Sequence, residues 1–521
     1  MHRDHNQHVQ FASVPVSSIG AAAPLALCPA RAGAPTAIPD PGRWLSHAWD
    51  VWLGGWLSPH EIRRRAAQRL DELISFARTQ VPLYRHLYRE LPRAGLALQQ
   101  LPVVCKGDLM RDIEASLSDR TVTRAALRRF LERADAIGRP FMGRYSVWTT
   151  SGTSGTPGIF LHDADALAVY EALQMFRFRR ISSPAELALR IAAGERFAMV
   201  AATGGHFAGV SNVEHLRRTY PWMAPTLRSF SLLQPWPALI AQLNAYQPTQ
   251  LATYPTAAEV LAEEQEAGRL KLRLRELWSG GERLCPGVRR RLQASFGCIV
   301  RNEYGASEFM SIAWDCGHGS LHVNSDWVLL EPVDADYRPV EPGAASHTVL
   351  LTNLANRIQP LIRYDLGDSV TVRPDPCPCG HPFPAIQLEG RHDDTLVFHD
   401  ADGRSVKLLP LVLTTIPAEH AHVSDFQLVQ TGARTTTLRL APSESGRAAA
   451  ARAALRAYVQ AVGLPAVAVQ IDRRAPQRDR ASGKLRRVMC AAACSDDPCA
   501  QAIGRPAHAA PLARRAAHPA E

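Results

Sequence analysis

Ten consecutive residues, "TTSGTSGTPG" at 149–158, hold four threonines, two serines, three glycines and one proline. Such a stretch presents backbone N–H groups and hydroxyls with little side-chain obstruction, which is the chemistry of a phosphate cradle. It lacks the GxxxxGK[ST] spacing and any lysine, so it is not a Walker-type loop. A flexible polar turn is the bland alternative, and residue types alone leave both open. A second group is built from sulfur. Cys316, Cys377 and Cys379 fall in the Gly/Pro/His-rich segments "WDCGHGSLHVNSD" and "DPCPCGH". With His322 they make a Cys₃His set, which by ligand type is a closed structural zinc site, since thiolates suit Zn²⁺ and not Mg²⁺. His318 competes with His322 as the nitrogen ligand, His381 less so, and ordinary reduced cysteines are the alternative. A third signal is a scarcity. Only Lys106, Lys271, Lys407 and Lys484 are lysines among 59 basic residues. In a chain that fills generic basic positions with arginine, a lysine marks a place where a compact ammonium is needed and a guanidinium fork does not fit. Lys271, in the amphipathic "EEQEAGRLKLRLREL", reads as a plain surface residue.

These residues need elements to position them. "SPHEIRRRAAQRLDELISFARTQ" has helical periodicity behind a Ser cap followed by Glu, and "VPLYRHLY" starts a short helix after it. Residues 120–137 read as helix, as does "DADALAVYEALQMFRFRR", opened by Asp. "RFAMVAAT" and "QLATYP" read as buried strands, alternating with the helices "WPALIAQLNAY" and "TAAEVLAEEQEAG". That alternation implies an α/β domain. From residue 321 the chain turns to strands: "LHVNSDWVLLEPV", "HTVLLTNL" and "SVTVRP". The last hundred residues read as a small α+β unit, with the hairpin "FQLVQTGARTTTLRLAP", a helix over 447–461 and the strand "AVAVQID".

The chain has 521 residues and a net charge of +10. The densest basic cluster, "IDRRAPQRDRASGKLRRV", has no interleaved aromatics, and no nucleic-acid module signature is present, so nucleic acid is not an expected partner. The cluster is a solvated face or a docking surface for an acidic partner. No apolar run reaches the length of a membrane span. The first residues lack a secretory pattern, so a cytoplasmic protein is expected, with metal ligation rather than a disulfide framework for the central cysteines.

The order of motifs resembles the adenylate-forming (acyl-CoA synthetase and ligase) superfamily and, within it, the phenylacetate–CoA ligase family. "VPLYRHLY" and "LPVVCKGDLM" are similar to that family's N-terminal signatures, and "TTSGTSGTPG" to its nucleotide loop. "WSGGERL" at 278–284 resembles its adenine-binding strand, and "NEYGASE" at 302–308 its nucleotide and magnesium motif. "RYDLGD" at 363–368 resembles the ribose motif, "EGRHDD" at 389–394 the hinge, and "SGKLRRV" at 482–488 the C-terminal lysine motif. The likeness runs from about residue 60 to 489.

The resemblance implies an α/β protein with a large multi-sheet N-terminal adenylating domain at 41–389 and a small mobile α+β C-terminal domain at 390–489. Residues 1–40 and 490–521 are expected to be disordered tails. It implies activation of a small aromatic carboxylic acid as acyl-AMP, then transfer to a thiol, either coenzyme A or the phosphopantetheine of an acyl carrier protein. A non-catalytic nucleotide-binding homologue is the rival. ATP and Mg²⁺ are the implied cofactors besides zinc. Ser151, Gly152, Thr153, Ser154, Gly155 and Thr156 are expected on the β- and γ-phosphates. Gly280, Gly281 and Glu282 flank adenine, with Tyr304 against its face and Glu303, Gly305, Ala306 and Ser307 beside it. Glu308 holds Mg²⁺, Asp368 the ribose, and Arg391 the ribose or phosphate. Lys484 is the adenylation lysine and Asp393 the hinge. Thr156 stands where the family commonly has lysine, and Lys106 is the candidate to supply the missing charge. Tyr145, Gly204, Gly205, His206 and Phe207 fall in the acyl region, where two glycines admit a flat ring. A monomer or homodimer is expected.

Overall fold

The computed structural model describes residues 41–92, 95, 97–150, 158–179, 184–389, 395–423, 425–477 and 485–491. A two-stranded antiparallel hairpin, β1 (Ser146–Thr149) and β2 (Ile159–His162), carries the Thr/Ser/Gly loop at its tip. Five strands then form a parallel array: β3 (Phe197–Ala201), β4 (Leu227–Ser231), β5 (Gln250–Thr253), β6 (Glu276–Gly280) and β7 (Ile299–Tyr304). The antiparallel β8 (Ala313–Asp315) and β9 (Leu321–Val323) extend it beyond β7. A separate three-stranded sheet holds β10 (Val328–Val333), β11 (Thr348–Asn353) and β12 (Tyr364–Asp365). The strands β13 (Val370–Val372) and β14 (Ala385–Leu388) return to the first sheet, which has nine strands in the order β13-β14-β9-β8-β7-β6-β5-β3-β4. The remaining strands are the pair β15 (Leu396–His399) and β16 (Ser405–Leu408), and a four-stranded sheet of β17 (Phe426–Gly432), β18 (Thr435–Leu440), β19 (Ala468–Asp472) and β20 (Val488–Cys490). The mixed α/β, multi-sheet architecture is the one expected.

Each parallel strand is joined to the next by a helix, as parallel pairing requires. Helices Ala208–Thr219, Trp236–Tyr246, Pro255–Glu266 and Pro286–Phe296 make these crossovers. Side chains alternate across a strand, and the two faces of this sheet have different fates. Ala198, Val200, Leu251, Leu277 and Val300 are buried in one apolar cluster with Leu239, Leu261 and Leu292 of the crossover helices. Phe197, Met199, Ala201, Gln250, Ala252 and Trp278 instead line a cavity. The same apolar cluster continues into Leu396, Phe398, Leu413, Phe426, Leu455 and Val488, and Lys407 pairs with Glu263, so the C-terminal elements pack on the crossover-helix layer.

The local signals are legible. Ser58 accepts from the Glu61 amide and Glu61 reaches back to the Ser58 amide, a complete capping box on the helix Pro59–Gln80. Asp163 caps Ala164–Leu173 through the Ala166 amide at 2.9 Å. Two expectations need correcting. The helix expected over residues 120–137 is confined to Arg124–Leu131, capped by Thr123, with a short 3-10 turn at Ala134–Ala136 after it. The helix expected through "YEALQMFRFRR" changes to a π-helical turn over Gln174–Phe178, so its side chains are rotated relative to a continuous α-helix. Gln174 and Met175 of that turn face the cavity. Such turns mark functional positions. Among the described residues, no helix is long and apolar enough to cross a membrane.

Candidate functional site

The order of the parallel strands reverses at β3: β4 lies on one side of it, β5, β6 and β7 on the other. Ligands of open α/β sheets bind outside the carboxyl ends of the strands at such a switch. The cavity, of about 1760 Å³, lies there. Its wall includes Ala202 after β3, Tyr254 after β5, Gly280, Gly281 and Glu282 at the end of β6, and Glu303 to Glu308 at and after β7.

Long-range pairings assemble the motifs. The Val104 amide donates to the Arg363 carbonyl at 3.1 Å, and the Asp365 amide donates to the Val104 carbonyl at 2.9 Å. "LPVVCKGDLM" and "RYDLGD" are thereby neighbours, and Lys106 opens a helix immediately after the pairing. Lys106 and Asp368 both line the cavity. The Thr/Ser/Gly loop is pinned at both ends: the Thr150 amide donates to the Gly158 carbonyl at 3.1 Å, and the Gly158 amide to Thr150 Oγ1 at 2.9 Å. Ser307 Oγ donates to the Thr149 carbonyl at 3.1 Å, tying "NEYGASE" to the hairpin. A Cβ on Gly158 would lie 3.1 Å from Lys106 Cε, so the lysine stem passes the foot of the loop. The residues Ser151, Gly152, Thr153, Ser154, Gly155 and Thr156 lie outside the described residues, as do Arg391, Asp393 and Lys484.

Glu308 is 5% exposed. Burial pushes its carboxyl up to about 7, against the opposing charge of Lys106 and a hydrogen bond with Tyr364, while Asp368 pushes in the same direction as burial. A hard oxygen donor in this setting suits a divalent cation, which would relieve its desolvation. Tyr304 Oη donates to Asp368 Oδ2 at 3.0 Å, joining the adenine and ribose motifs. Gly305 is required sterically, since a Cβ there would lie 1.9 Å from the Met310 carbonyl oxygen. Glu282 uses its carboxylate locally, accepting from the Thr256 amide at 3.1 Å and hydroxyl at 2.8 Å, and so caps the helix Pro255–Glu266. Its side chain is therefore occupied by that cap, whereas Gly280 and Gly281 present backbone to the cavity. Gly281 has φ +77°, and a side chain there would meet the Tyr254 ring at 3.1 Å.

The residues expected in the acyl region are only partly brought together. Phe207 lines the cavity. Tyr145 instead donates to Asp119 Oδ2 at 2.8 Å, in a small cluster with Arg144. His206 is buried beside Phe130, with ring centroids 5.3 Å apart, and its carbonyl accepts from the Thr149 amide. Gly204 and Gly205 admit a different neighbour. A Cβ on Gly205 would fall 2.0 Å from Glu419 Oε1, so the glycines make room for a carboxylate from the helix Pro410–Ala421. Missed at the sequence level are Tyr364 on Glu308, Tyr254 under Gly281, and the wall formed by Trp44, Glu171 and Gln174. Tyr364 lies inside the "RYDLGD" segment; no local pattern marks the other four.

Glu303 sits on β7 with Gln174 Nε2 donating to it at 3.5 Å. Burial pushes its carboxyl from an ordinary value near 4.5 up to about 7. A carboxyl whose folded pKa lies above its unfolded value holds an extra proton in the folded state between the two, so the stability linked to it falls as pH rises from about 4.5 to about 7. Glu303→Gln should therefore gain stability relative to wild type across that window and hold the gain above it. Denaturant unfolding at pH 5 and pH 8, without nucleotide, tests this; a difference that does not grow with pH would refute it.

The sulfur group converges fully. Cys316, His322, Cys377 and Cys379 place their ligand atoms within 4.8 Å of one another. Cys316 Sγ is 3.6 Å from Cys377 Sγ, and Cys379 Sγ is 3.2 Å from His322 Nε2. His322 Nδ1 lies 2.8 Å from the Phe383 carbonyl oxygen; a carbonyl only accepts, so Nδ1 carries the hydrogen and Nε2 presents its lone pair to the sulfurs. His318 is not in the group, and His381 touches it through its amide, which donates to Cys379 Sγ at 3.4 Å. The four residues join the β8–β9 hairpin to the β13–β14 connection, beside β7.

No family model matches the chain. Phenylacetate-coenzyme A ligase of Thermus thermophilus is 25% identical over 394 residues, covering 70% of this chain and 78% of that protein. Protein CapK of Staphylococcus aureus is 25% identical over 162 residues, 30% of this chain and 34% of its own. Among solved structures, a 2-hydroxyisobutyryl-CoA ligase in complex with 2-HIB-AMP and CoA aligns with a TM-score of 0.53 at 22% identity, over 84% of this chain and 91% of that one. The fold is thus that of an adenylate-forming acyl-CoA ligase, and the resemblance read from the motifs is borne out.

Proposed function

We propose that this chain activates a small aromatic carboxylic acid with ATP and passes the acyl group to the thiol of coenzyme A. The observation that carries the reading is the meeting of Lys106, Tyr304, Glu308 and Asp368 on one cavity at the strand ends, beside the pinned feet of the Thr/Ser/Gly loop. In the first half-reaction a substrate carboxylate oxygen bonds to the α-phosphorus, and the bond to the β-phosphate oxygen breaks, releasing pyrophosphate. In the second the thiol sulfur bonds to the acyl carbon, the bond to AMP breaks, and the thiol proton leaves to solvent. Lys106 would face the phosphate end and Glu308 would hold Mg²⁺ there, which would supply charge neutralisation when bound. Trp44, Phe207, Tyr220 and Trp222 on the cavity wall favour a ring over a long flexible chain. Residues 390–489 are proposed as a lid turning about Asp393. Acid-dependent ATP–pyrophosphate exchange tests the reading, and no exchange with any acid would overturn it.

Coenzyme A is preferred over a carrier protein because the basic cluster is partly spent. Arg487 is buried over Phe426, with its guanidinium 5.1 Å from the ring centroid, and Arg474 pairs with Asp472 at 2.7 Å.

The Cys₃His group is proposed to hold one structural zinc. A tetrahedral ion with Zn–S near 2.3 Å sets sulfur atoms about 3.8 Å apart, which the Cys316–Cys377 pair nearly matches. Cys379→Ser should lose the metal and melt about 5 °C or more lower, since binding energy at such a site is folding energy. Elemental analysis of protein purified without chelator checks the occupancy; zinc-free wild type would sink the assignment.

A further inference from the structure

Glu171 is a carboxyl set in a largely apolar wall. It lines the cavity from the helix Ala164–Leu173, near enough to Tyr220 to act on its hydroxyl, and Trp44, Met175, Met199, Phe207 and Trp222 line the same cavity. Trp44, brought from the helix Pro41–Gly54, donates its indole N–H to Glu171 Oε2 at 3.0 Å. Among the described residues the other carboxylate oxygen accepts no hydrogen bond, and it is not one of the occluded polar atoms, so it opens to the cavity. Residues three apart on a helix are neighbours, and Gln174, three residues on, reaches Glu303 of the nucleotide motif. Glu171 is thus one helical turn from a residue that touches the nucleotide motif. A ligand that covers this oxygen without offering a donor strips it of water at a cost in free energy, which a ligand donor avoids.

We propose that Glu171 determines acid specificity by accepting a hydrogen bond from a hydroxyl or amine on the ring of the substrate acid. The inference rests on the ligase reading above and refines its substrate class. An apolar acid such as benzoate would leave the carboxyl unpaired on closing the site. A site built around a polar group discriminates against analogues that lack it far more than a hydrophobic pocket does. Burial pushes the Glu171 carboxyl up to about 7, and the Trp44 hydrogen bond opposes that only in part.

The test compares benzoate with its hydroxy and amino derivatives at each ring position, in ATP–pyrophosphate exchange. At least one derivative should exceed benzoate in kcat/KM by about tenfold or more. Glu171→Met should collapse that ratio towards one, and Glu171→Gln, whose single carbonyl oxygen still accepts but whose amide nitrogen only donates, should retain part of it. Wild type without a preference, or an unchanged ratio in Glu171→Met, overturns the proposal. Calorimetric binding of the same acids separates the two readings. If no acid supports exchange yet a hydroxy or amino derivative binds, and binds more weakly to Glu171→Met, the ligase reading falls and Glu171 keeps its role. If binding shows no such discrimination either, both fall.

Discussion

Glu308→Gln lowers acid-dependent ATP–pyrophosphate exchange by about 100-fold or more, the size of effect that losing one preorganised electrostatic partner of a transition state produces. The amide keeps the volume and can still meet the Tyr364 hydroxyl, so the buried wall around it stays packed. What changes is charge. The pyrophosphate that leaves carries most of the negative charge developed in the reaction, and a cation held at Glu308, as proposed above, would balance it. Glutamine removes one negative charge from the surroundings of Lys106. The loss should be steeper at low Mg²⁺ and partly recovered by raising it, as the variant's Mg²⁺ affinity is lowered. Exchange within about threefold of wild type across the Mg²⁺ range would remove Glu308 from the metal role.

How far the sequence revealed this site depends on the distance over which each signal acts. Helix caps at Ser58 and Asp163 are local, and both helices start where they were read. The strands "RFAMVAAT" and "QLATYP" announce themselves by composition and become β3 and β5. Motif order placed Lys106, Tyr304, Glu308 and Asp368 on one wall because the Val104–Tyr364 pairing and the Ser307–Thr149 bond close the chain over long separations. The acyl end was not legible for the converse reason. Gly204 and Gly205 signal close approach, but nothing near them says that the approaching group is Glu419, 214 residues away, rather than a substrate ring. The helix Pro410–Ala421 hides because it carries Pro417 internally and lacks a polar stripe. The helix Pro41–Gly54 leaves the apolar row Leu45, Trp49 and Leu53 exposed, so its sequence pattern does not tell which face is buried. Its Trp44 contact with Glu171 is a tertiary event with no local trace. The π turn at Gln174–Phe178 likewise depends on what the side chains meet.

Lys484→Ala abolishes most adenylation, by about 100-fold or more, yet leaves the second half-reaction nearly intact. Lys484 is one of four lysines in a chain otherwise supplied with arginine, and it follows the Ser482–Gly483 pair. The residues just after it are anchored beside the site: Gln427 Nε2 donates to the Arg486 carbonyl at 2.8 Å, Arg487 is buried, and Cys490 lines the cavity. An ammonium delivered from there can lie between the substrate carboxylate and the α-phosphate, two anions that otherwise repel at bonding distance. A guanidinium is broader and fixed in plane, so the proposed role suits a lysine better than an arginine. In the proposed cycle the lid turns about Asp393 after adenylation and withdraws this charge, so the lysine acts only in the first half. Measured separately, acyl-AMP formation from acid and ATP should collapse, while chemically supplied acyl-AMP should still be consumed by coenzyme A at a rate close to that of wild type. Equal loss in both assays would make the residue structural or the lid static. Loss in neither would make it one more surface charge of the "KLRR" face, and the cation that draws the two anions together would then be sought at Lys106.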